Sequence, residues 1–351
     1  MSRFLQLHLL TFFPPANLNR DDTGRPKTAV VGGASRLRLS SQALKRAWRT
    51  SDVFKTALAG HIGSRTQRLG DDIQAHLLGR GVPPDRARTV ARAVAGVFGK
   101  IKDDKDDNPT RIEQLAFISP QERDEALALA ERAAASGEAI ERKKAGLLRT
   151  HDTAADIALF GRMLADDPSY NREAAAQVAH AITTHKVMVE DDYYTAVDDL
   201  KTPADDAGAG FLGEAAFGSG VFYLYLCVDR DLLVRNLGAD QAASGLAATA
   251  LAALVEAAAT TAPSGKQNSF AAHGRAHYVL AERGPMQPRT LAGAFAKPVA
   301  GNDIVEDSVR RLHAYRNDLV VAYGPAGTEE FEMHVGKAGS LAEIIAFAQR
   351  G

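Results

Sequence analysis

Apolar and polar positions alternate loosely in the N-terminal segment of the chain. From Arg3 to Phe13 this segment is rich in Phe and Leu, which predicts a β-strand that ends at Pro14-Pro15. The polar stretch that continues to about Leu39 contains the pair Gly32-Gly33 and further Gly and Pro residues. Because these residues favour turns, the stretch is predicted to be a long loop.

The next pattern is helical. From Gln42 to about Leu58, small and apolar residues fall on one helical face, and Ser40-Ser41 can cap the start. Between about Ala59 and Tyr170, Ala, Arg and Asp become abundant, and helical stretches alternate with polar turns. There, Ser119-Pro120-Gln121-Glu122 combines a capping serine, a proline at the first helical position and a glutamate at the third. This part is therefore predicted to be an inserted helical lobe.

Strand patterns return in the C-terminal half. A strand is predicted from Ala181 to Val189, a polar, Gly-rich loop from Glu190 to Ser219, and a core strand from Gly220 to Val228. Three further elements are predicted: a helix from Gln241 to Thr260, a strand from Ser269 to Ala281 and a helix from Asp303 to Ala322. This order favours an α+β fold whose split βαββαβ sheet, of the ferredoxin or RNA-recognition-motif type, carries insertions.

Composition narrows the class of protein only a little. The 351 residues are 45% hydrophobic and 24% charged, and the formal net charge is -1, so a uniformly basic nucleic-acid binder is excluded. The single cysteine, Cys227, lies in an apolar run and is predicted to be a buried, inert thiol. A cytoplasmic protein without a membrane partner is expected, because neither a leader pattern nor a run of 18 apolar residues is found.

Positive charge is segregated between Asp22 and Asp52. No carboxylate lies between them, although 43 of the 351 residues are acidic, and the interval holds seven basic residues: Arg25, Lys27, Arg36, Arg38, Lys45, Arg46 and Arg49. One face of the predicted helix carries Gln42, Lys45, Arg46 and Arg49. Ser40 and Ser41 add donors for phosphate oxygens at the helix N-terminus. If the preceding stretch is extended, Arg36 and Arg38 point the same way. The pattern indicates an anion-binding surface, and a solvated basic helix without a ligand is the alternative.

A pair of tyrosines lies at the edge of the polar loop. Tyr193 and Tyr194 have few packing partners nearby in the sequence, and exposed tyrosines can stack on nucleic-acid bases. The alternative is that one of them packs into the core and the other is neutral surface.

Carboxylates of the same loop could form a two-metal cluster for RNA cleavage: Asp191, Asp192, Asp198 and Asp199. Acidic loops are more common than metal sites, and no histidine at ligand spacing accompanies these residues. His273 and His277 lie four apart in a predicted strand and match no zinc signature. We therefore expect no catalytic residue, no metal and no cofactor.

Several segments carry a family resemblance in chain order. They are Leu18-Asn-Arg-Asp-Asp22, Gly32-Gly33, Arg36-Leu-Arg-Leu-Ser-Ser-Gln42, Leu44-Lys-Arg-Ala47 with Arg49, Asp156-Ile-Ala-Leu, Gly161-Arg-Met163, Ala179-His-Ala-Ile-Thr-Thr-His185, Thr195-Ala-Val-Asp-Asp-Leu200, Ser219-Gly-Val-Phe-Tyr223 and Gly265-Lys-Gln267. With these residues, which span roughly positions 4 to 270, the chain resembles the CasC family. These proteins are the backbone subunits of type I-E CRISPR Cascade complexes, within the RAMP superfamily.

The resemblance implies a hand-like subunit with a palm of the RNA-recognition-motif type, a helical finger lobe and a thumb loop or hairpin. The implied bounds are 1–58, 176–192 and 219–351 for the palm, 59–175 for the finger and 193–218 for the thumb. Several copies would line up on one CRISPR RNA (crRNA), which would pair with a target DNA strand. Other Cascade subunits would be further partners.

The resemblance also implies roles for single residues. Contacts to the RNA backbone are implied for Arg20, Lys27, Ser40, Gln42, Lys45 and Arg49, and contacts at interrupted bases for Met163, Tyr194 and Thr195. The chain departs from the family pattern at Tyr193-Tyr194, where Trp and Phe are usual, and at Ala34-Ser35, where basic residues often follow the glycines. In related type III effectors, backbone subunits cut target RNA with a loop aspartate, which is the enzymatic alternative. The sequence from Thr195 to Leu200 resembles the non-cleaving type I branch.

Overall fold

The computed structural model describes residues 3–140, 145–149, 151, 153–164, 167–196, 211–238, 240, 245–325 and 327–350. The chain forms two compact units. The sheet unit comprises Met1–Phe54, Val178–Cys227 and Ala252–Gly351, and the helical unit comprises Lys55–Gln177 and Val228–Leu251.

The described strands and helices are numbered in chain order. The strands are β1 (Phe4–Ala16), β2 (Thr28–Val31), β3 (Ala34–Leu39), β4 (Ser64–Thr66), β5 (Ala116–Ile118), β6 (Ala176–Val178), β7 (Ala181–Thr183), β8 (Glu190–Ala196), β9 (Phe211–Asp229), β10 (Ala276–Gly284) and β11 (Glu329–His334). The helices are α1 (Ser41–Thr50), α2 (Asp52–Ala57), α3 (Leu69–Gly79), α4 (Pro84–Ala95), α5 (Pro120–Ser136), α6 (Ala155–Phe160), α7 (Arg230–Leu237), α8 (Leu246–Thr260), α9 (Gln267–Phe270), α10 (Ile304–Tyr323) and α11 (Leu341–Gln349).

The large sheet has the strand order β11-β10-β1-β9-β7-β3-β2, and β6 and β8 also pair with β9. The long strand β9 has two roles. Its second half pairs with β7, with Tyr223 opposite Ile182, whereas its first half pairs with β8, from Phe217 opposite Glu190 to Phe211 opposite Ala196. The β8–β9 ribbon is a hairpin arm whose β8 positions are all exposed.

One face of the sheet is covered by α10. Apolar side chains of the sheet, such as Leu10 and Leu280, form a buried cluster with Val309 and Leu312 of this helix. Burying each such side chain contributes about 1.5–3 kcal/mol. Strand β1 is buried without interruption from Leu5 to Leu10, including the polar residues Gln6 and His8, because it lies inside the sheet, between β10 and β9.

The helical unit has its own core, in which α3, α4 and α5 pack through residues such as Ile73, Val94 and Ala130. The predicted start of α5 is confirmed. The hydroxyl of Ser119 accepts from the Glu122 N–H, and the Glu122 carboxylate accepts from the Ser119 N–H, which is a complete capping box. No helix in the described ranges combines the length and apolar character that crossing a membrane requires.

The predicted α+β class is confirmed, and Cys227 is buried as predicted. The predicted loop before Leu39 is wrong, because it contains the β2–β3 hairpin. Gly32 and Gly33 form its turn with φ values of 59° and 74°, which only glycine adopts readily. A Cβ atom on Gly32 would lie 1.7 Å from the carbonyl oxygen of Ala296, so the position requires glycine for space as well.

Other predicted elements change in extent. The helix predicted from Gln42 to Leu58 is divided into α1 and α2 at Ser51. The Ser51 N–H donates to the Trp48 carbonyl oxygen at the end of α1, and the Ser51 hydroxyl accepts from the Phe54 N–H in α2. The strand predicted from Ala181 ends at Thr183, and the strand predicted from Ser269 begins at Ala276 after the short helix α9. The predicted bounds of palm, finger and thumb stay a prediction, and residues 197–210 of the thumb lie outside the described ranges.

Candidate nucleic-acid interface

The loop between β1 and β2 is folded tightly by its own side chains. Asn17 Nδ2 donates to the carbonyl oxygens of Gly24 and Ala216, both at 2.9 Å. The Asp21 carboxylate accepts three hydrogen bonds, at 2.8–3.0 Å, from the turn that follows it. These contacts fix the backbone on either side of Arg20, whose side chain is exposed.

The same loop is connected to the start of α1. Asn19 Oδ1 accepts from the Ser40 N–H at 2.8 Å, and the Ser40 hydroxyl accepts from the Ala43 N–H at 3.3 Å. Ser40 is therefore the N-cap residue of α1 and is itself buried. The loop, the cap and the helix form one continuous surface segment.

Helix α1 has the two faces that the sequence predicts. Leu44 and Trp48 are buried, and the Trp48 indole donates to the Thr261 carbonyl oxygen at 3.3 Å. The opposite side carries Gln42 and Arg46, which are exposed, and Lys45 and Arg49, which are half-buried. Burial lowers the pKa of the Lys45 ammonium group.

Lys27, Arg38 and His180 lie close to one another. Arg38 Nη1 lies 2.9 Å from His180 Nδ1, and because a guanidinium group can only donate, His180 Nδ1 is the acceptor. Burial lowers the pKa of His180, and the positive charges of Arg38 and Lys27 lower it further. An anion placed here would offset this concentration of positive charge.

We call the six cationic residues Arg20, Lys27, Arg38, Lys45, Arg46 and Arg49 the basic ridge.

Arg36 requires a correction. The prediction that Arg36 belongs with Arg38 to an anion-binding surface is wrong, because Arg36 is fully buried. Its guanidinium group donates to the carbonyl oxygens of Thr183 at 2.7 Å and Phe295 at 3.0 Å. It joins β3 to two distant segments of the sheet unit and offers no surface to a ligand.

The predicted tyrosines lie on the β8–β9 ribbon. Tyr193 is 74% exposed and Tyr194 is 48% exposed, so the alternative in which one of them packs into the core is wrong. The Tyr194 ring lies across Gly213 of the paired strand, where an added Cβ would be 2.4 Å from the ring. Thr195 follows on the same exposed strand. Both rings therefore offer aromatic surface that bases can stack on.

Arg25 joins the loop to the ribbon. Its Nη1 lies 2.6 Å from Asp191 Oδ1 and 3.6 Å from Glu214 Oε1. Asp191 is thus engaged by a cation, which weakens its case as a metal ligand. Asp198 and Asp199 lie outside the described residues.

A cavity of about 420 Å³ lies between the loop and the ribbon, all within the sheet unit. Its lining includes Arg20, Arg25, Lys266 and Phe270. Lys266 has a left-handed backbone with φ 52°, and Gly265 packs so closely that an added Cβ would lie 2.4 Å from the Leu18 carbonyl oxygen. The sequence analysis does not predict Lys266 or Phe270 as site residues. The signal that could have indicated Lys266 is its segment, Gly265-Lys-Gln267, which is one of those that carry the family resemblance.

Met163 is placed in the helical unit, where it is 78% exposed. The structure therefore brings the other predicted contact residues together within the sheet unit, with Arg36 and Ser40 buried among them. A role for Met163 in RNA binding stays a prediction.

These features define an α+β protein that presents cations, hydroxyl groups and exposed aromatic rings on one unit, a combination suited to a single-stranded polyanion. The chain belongs to the family of CT1975-like proteins, whose pattern matches residues 5–348.

Chains of two solved CRISPR complexes are similar to this chain in sequence and structure. A chain of a "CRISPR RNA-guided surveillance complex, pre-nicking" is 31% identical, with a TM-score of 0.84, and the match covers 98% of this chain and all of that one. A chain of a second CRISPR RNA-guided surveillance complex is 28% identical, with a TM-score of 0.73, and the match covers 97% and 94%. No curated protein matches the sequence.

Proposed function

We propose that this chain is the non-catalytic backbone subunit of a type I-E Cascade complex, and that several copies bind along one crRNA. In this proposal the basic ridge binds backbone phosphates, and the β8–β9 ribbon places Tyr193 and Tyr194 against bases. The guide is then presented for pairing with a target DNA strand in the cytoplasm, and other Cascade subunits complete the assembly. The similarity to surveillance-complex chains over nearly the whole length supports the crRNA-binding role.

The observation that carries the proposal is the basic ridge. Its cations belong to one segment that Asn17, Asn19 and the Ser40 cap hold in a fixed conformation. Phosphate contacts of this type position a strand without reading its sequence, so we expect weak sequence preference. The alternative, a metal-dependent RNA-cleaving backbone subunit, predicts cuts in complementary RNA, and the ion pair between Asp191 and Arg25 does not favour it.

Replacing Lys45 by alanine should weaken the binding of single-stranded RNA and make it less sensitive to salt. Each phosphate contact that is lost should reduce the slope of log affinity against log salt by about 0.7. The measurement is a set of RNA-binding titrations of the full chain at several salt concentrations. An unchanged slope would remove Lys45 from the interface.

Two variants make this titration specific. Lys55→Ala removes an exposed lysine outside the basic ridge, so its slope should equal that of the unaltered chain. Tyr194→Ala should weaken binding by about 1–3 kcal/mol without changing the slope, because a stacked ring releases no counterions. A change of slope alone in Tyr194→Ala would contradict a stacking role.

A further inference from the structure

Two histidines and a glutamate meet at one end of the sheet unit, outside the basic ridge. His277 lies in β10, His334 ends β11, and Glu306 lies in the first turn of α10. The side-chain atoms that could bind a metal in all three residues lie within 4.8 Å of one another. His334 Nε2 is 3.0 Å from Glu306 Oε1, and the two imidazole rings are 5.5 Å apart.

The fold holds the backbone of each residue in place. The Val335 N–H donates to the His277 carbonyl oxygen at 3.0 Å, and the His334 N–H donates to the Ala338 carbonyl oxygen at 2.7 Å. The Glu306 N–H donates to the Asp303 carboxylate at 3.1 Å, which caps α10. The three side chains therefore converge from fixed positions, and His334 is 9% exposed.

Two imidazole nitrogens and one carboxylate oxygen form a donor set that zinc accepts, with a fourth position left for water. Ligands about 2.0–2.1 Å from a tetrahedral ion lie about 3.4 Å from one another. The present separations of up to 4.8 Å exceed this spacing by about 1.4 Å at most. We propose that His277, Glu306 and His334 bind one Zn²⁺ ion, which would join β10, β11 and α10.

Lys337 is a cationic residue next to the proposed zinc site, so its charge disfavours the binding of a metal ion there. Its ammonium group lies 2.5 Å from Glu306 Oε2, so it occupies the second carboxylate oxygen and leaves Oε1 facing His334. Like charges repel, so this ammonium group should weaken zinc binding without abolishing it. Its removal gives a variant that distinguishes a metal site from a hydrogen-bonded cluster.

The test uses the full chain, expressed without a histidine tag, treated with a chelator and dialysed against buffered Zn²⁺. We expect one ion per chain, and Co²⁺ in its place should show the visible absorption of a four-coordinate site. His277→Ala and Glu306→Gln should each weaken binding by about tenfold or more, because the first removes a ligand and the second replaces a carboxylate by a neutral amide. Lys337→Ala should bind zinc at least as tightly as the unaltered chain.

The matched control is His273→Ala, which removes an exposed histidine from the same segment and should leave zinc binding unchanged. Far-UV circular dichroism of each variant shows that it is folded. Failure to bind one equivalent of zinc, equal affinities in His277→Ala and His273→Ala, or a loss of affinity in Lys337→Ala would overturn the proposal. None of these readouts involves RNA, so they leave the proposed function untouched.

Discussion

Replacing Glu122 by glutamine should destabilise the helical unit by about 3–5 kcal/mol. The Glu122 carboxylate and the Arg162 guanidinium group are both fully buried, with Nη1 at 2.8 Å and 2.7 Å from the two carboxylate oxygens. The same carboxylate completes the capping box of α5 with Ser119. A neutral amide would leave the arginine charge buried without its counterion, and a buried unpaired charge is far more costly than the pair.

The measurement is hydrogen exchange resolved to peptides of residues 55–177, which reports the opening free energy of this unit directly. Glu131→Gln is the matched control, because Glu131 lies in the same helix but is 41% exposed beside His76 and Arg80. It should change stability by less than about 1 kcal/mol. A double variant, Glu122→Gln with Arg162→Met, should recover part of the loss. Equal effects of Glu122→Gln and Glu131→Gln would contradict this interpretation.

Replacing Glu282 by glutamine should destabilise the sheet unit by about 3 kcal/mol at pH 7. Glu282 is fully buried, and its carboxylate lies 3.2 Å from His8 Nε2, 3.0 Å from Arg289 Nη2 and 2.9 Å from Arg316 Nε. Burial alone would raise the pKa of Glu282, but the hydrogen bond from His8 and the charges of Arg316 and Arg289 lower it to about 2. Lowering the pKa of Glu282 from 4.5 in the unfolded chain to about 2 in the folded protein corresponds to about 3 kcal/mol of folding free energy at pH 7.

The pH dependence follows from the direction of this shift. The folded protein binds the Glu282 proton more weakly than the unfolded chain does, so its contribution to stability is complete above about pH 4.5. The contribution declines as the pH falls towards about 2. The difference in unfolding free energy between the unaltered chain and Glu282→Gln should therefore shrink on acidification.

Trp48, the single tryptophan, lies in the sheet unit, so its fluorescence during urea unfolding reports on the right part of the chain. Glu329→Gln is the control, since Glu329 pairs with Arg283 but is 67% exposed. It should change the free energy of unfolding at pH 7 by less than about 1 kcal/mol. A pH-independent difference for Glu282→Gln would show that the charge of the carboxylate is not the source of its effect.

Local signals in the sequence predict local structure well. The predicted Ser119 capping box and the two predicted faces of α1 are both confirmed. Each depends only on residues that lie within one or two helical turns of one another, so the sequence alone contains the information. The apolar and polar pattern predicts a loop where the β8–β9 ribbon lies, and only the family resemblance implies a loop or hairpin there. The pattern fails because all seven β8 positions are exposed, and an exposed ribbon needs no apolar alternation. Only the structure shows that β8 pairs with β9.

The parts of the site that escape prediction depend on distant contacts. Arg36 has the sequence signature of a surface cation, and only the carbonyl groups of Thr183 and Phe295 show that it is a buried structural residue. The same holds for His277, whose potential partners Glu306 and His334 are 29 and 57 positions away along the chain. Spacing within one segment cannot reveal ligands that the fold brings together from three elements.

The proposed function depends most on contact between RNA and the basic ridge. Ultraviolet crosslinking of the purified, RNA-loaded assembly, followed by peptide mapping, tests this contact directly. Adducts are expected on peptides within residues 20–49, which contain the whole basic ridge. If every adduct maps elsewhere and these peptides remain unmodified, the ridge does not bind the guide and the proposed function is wrong.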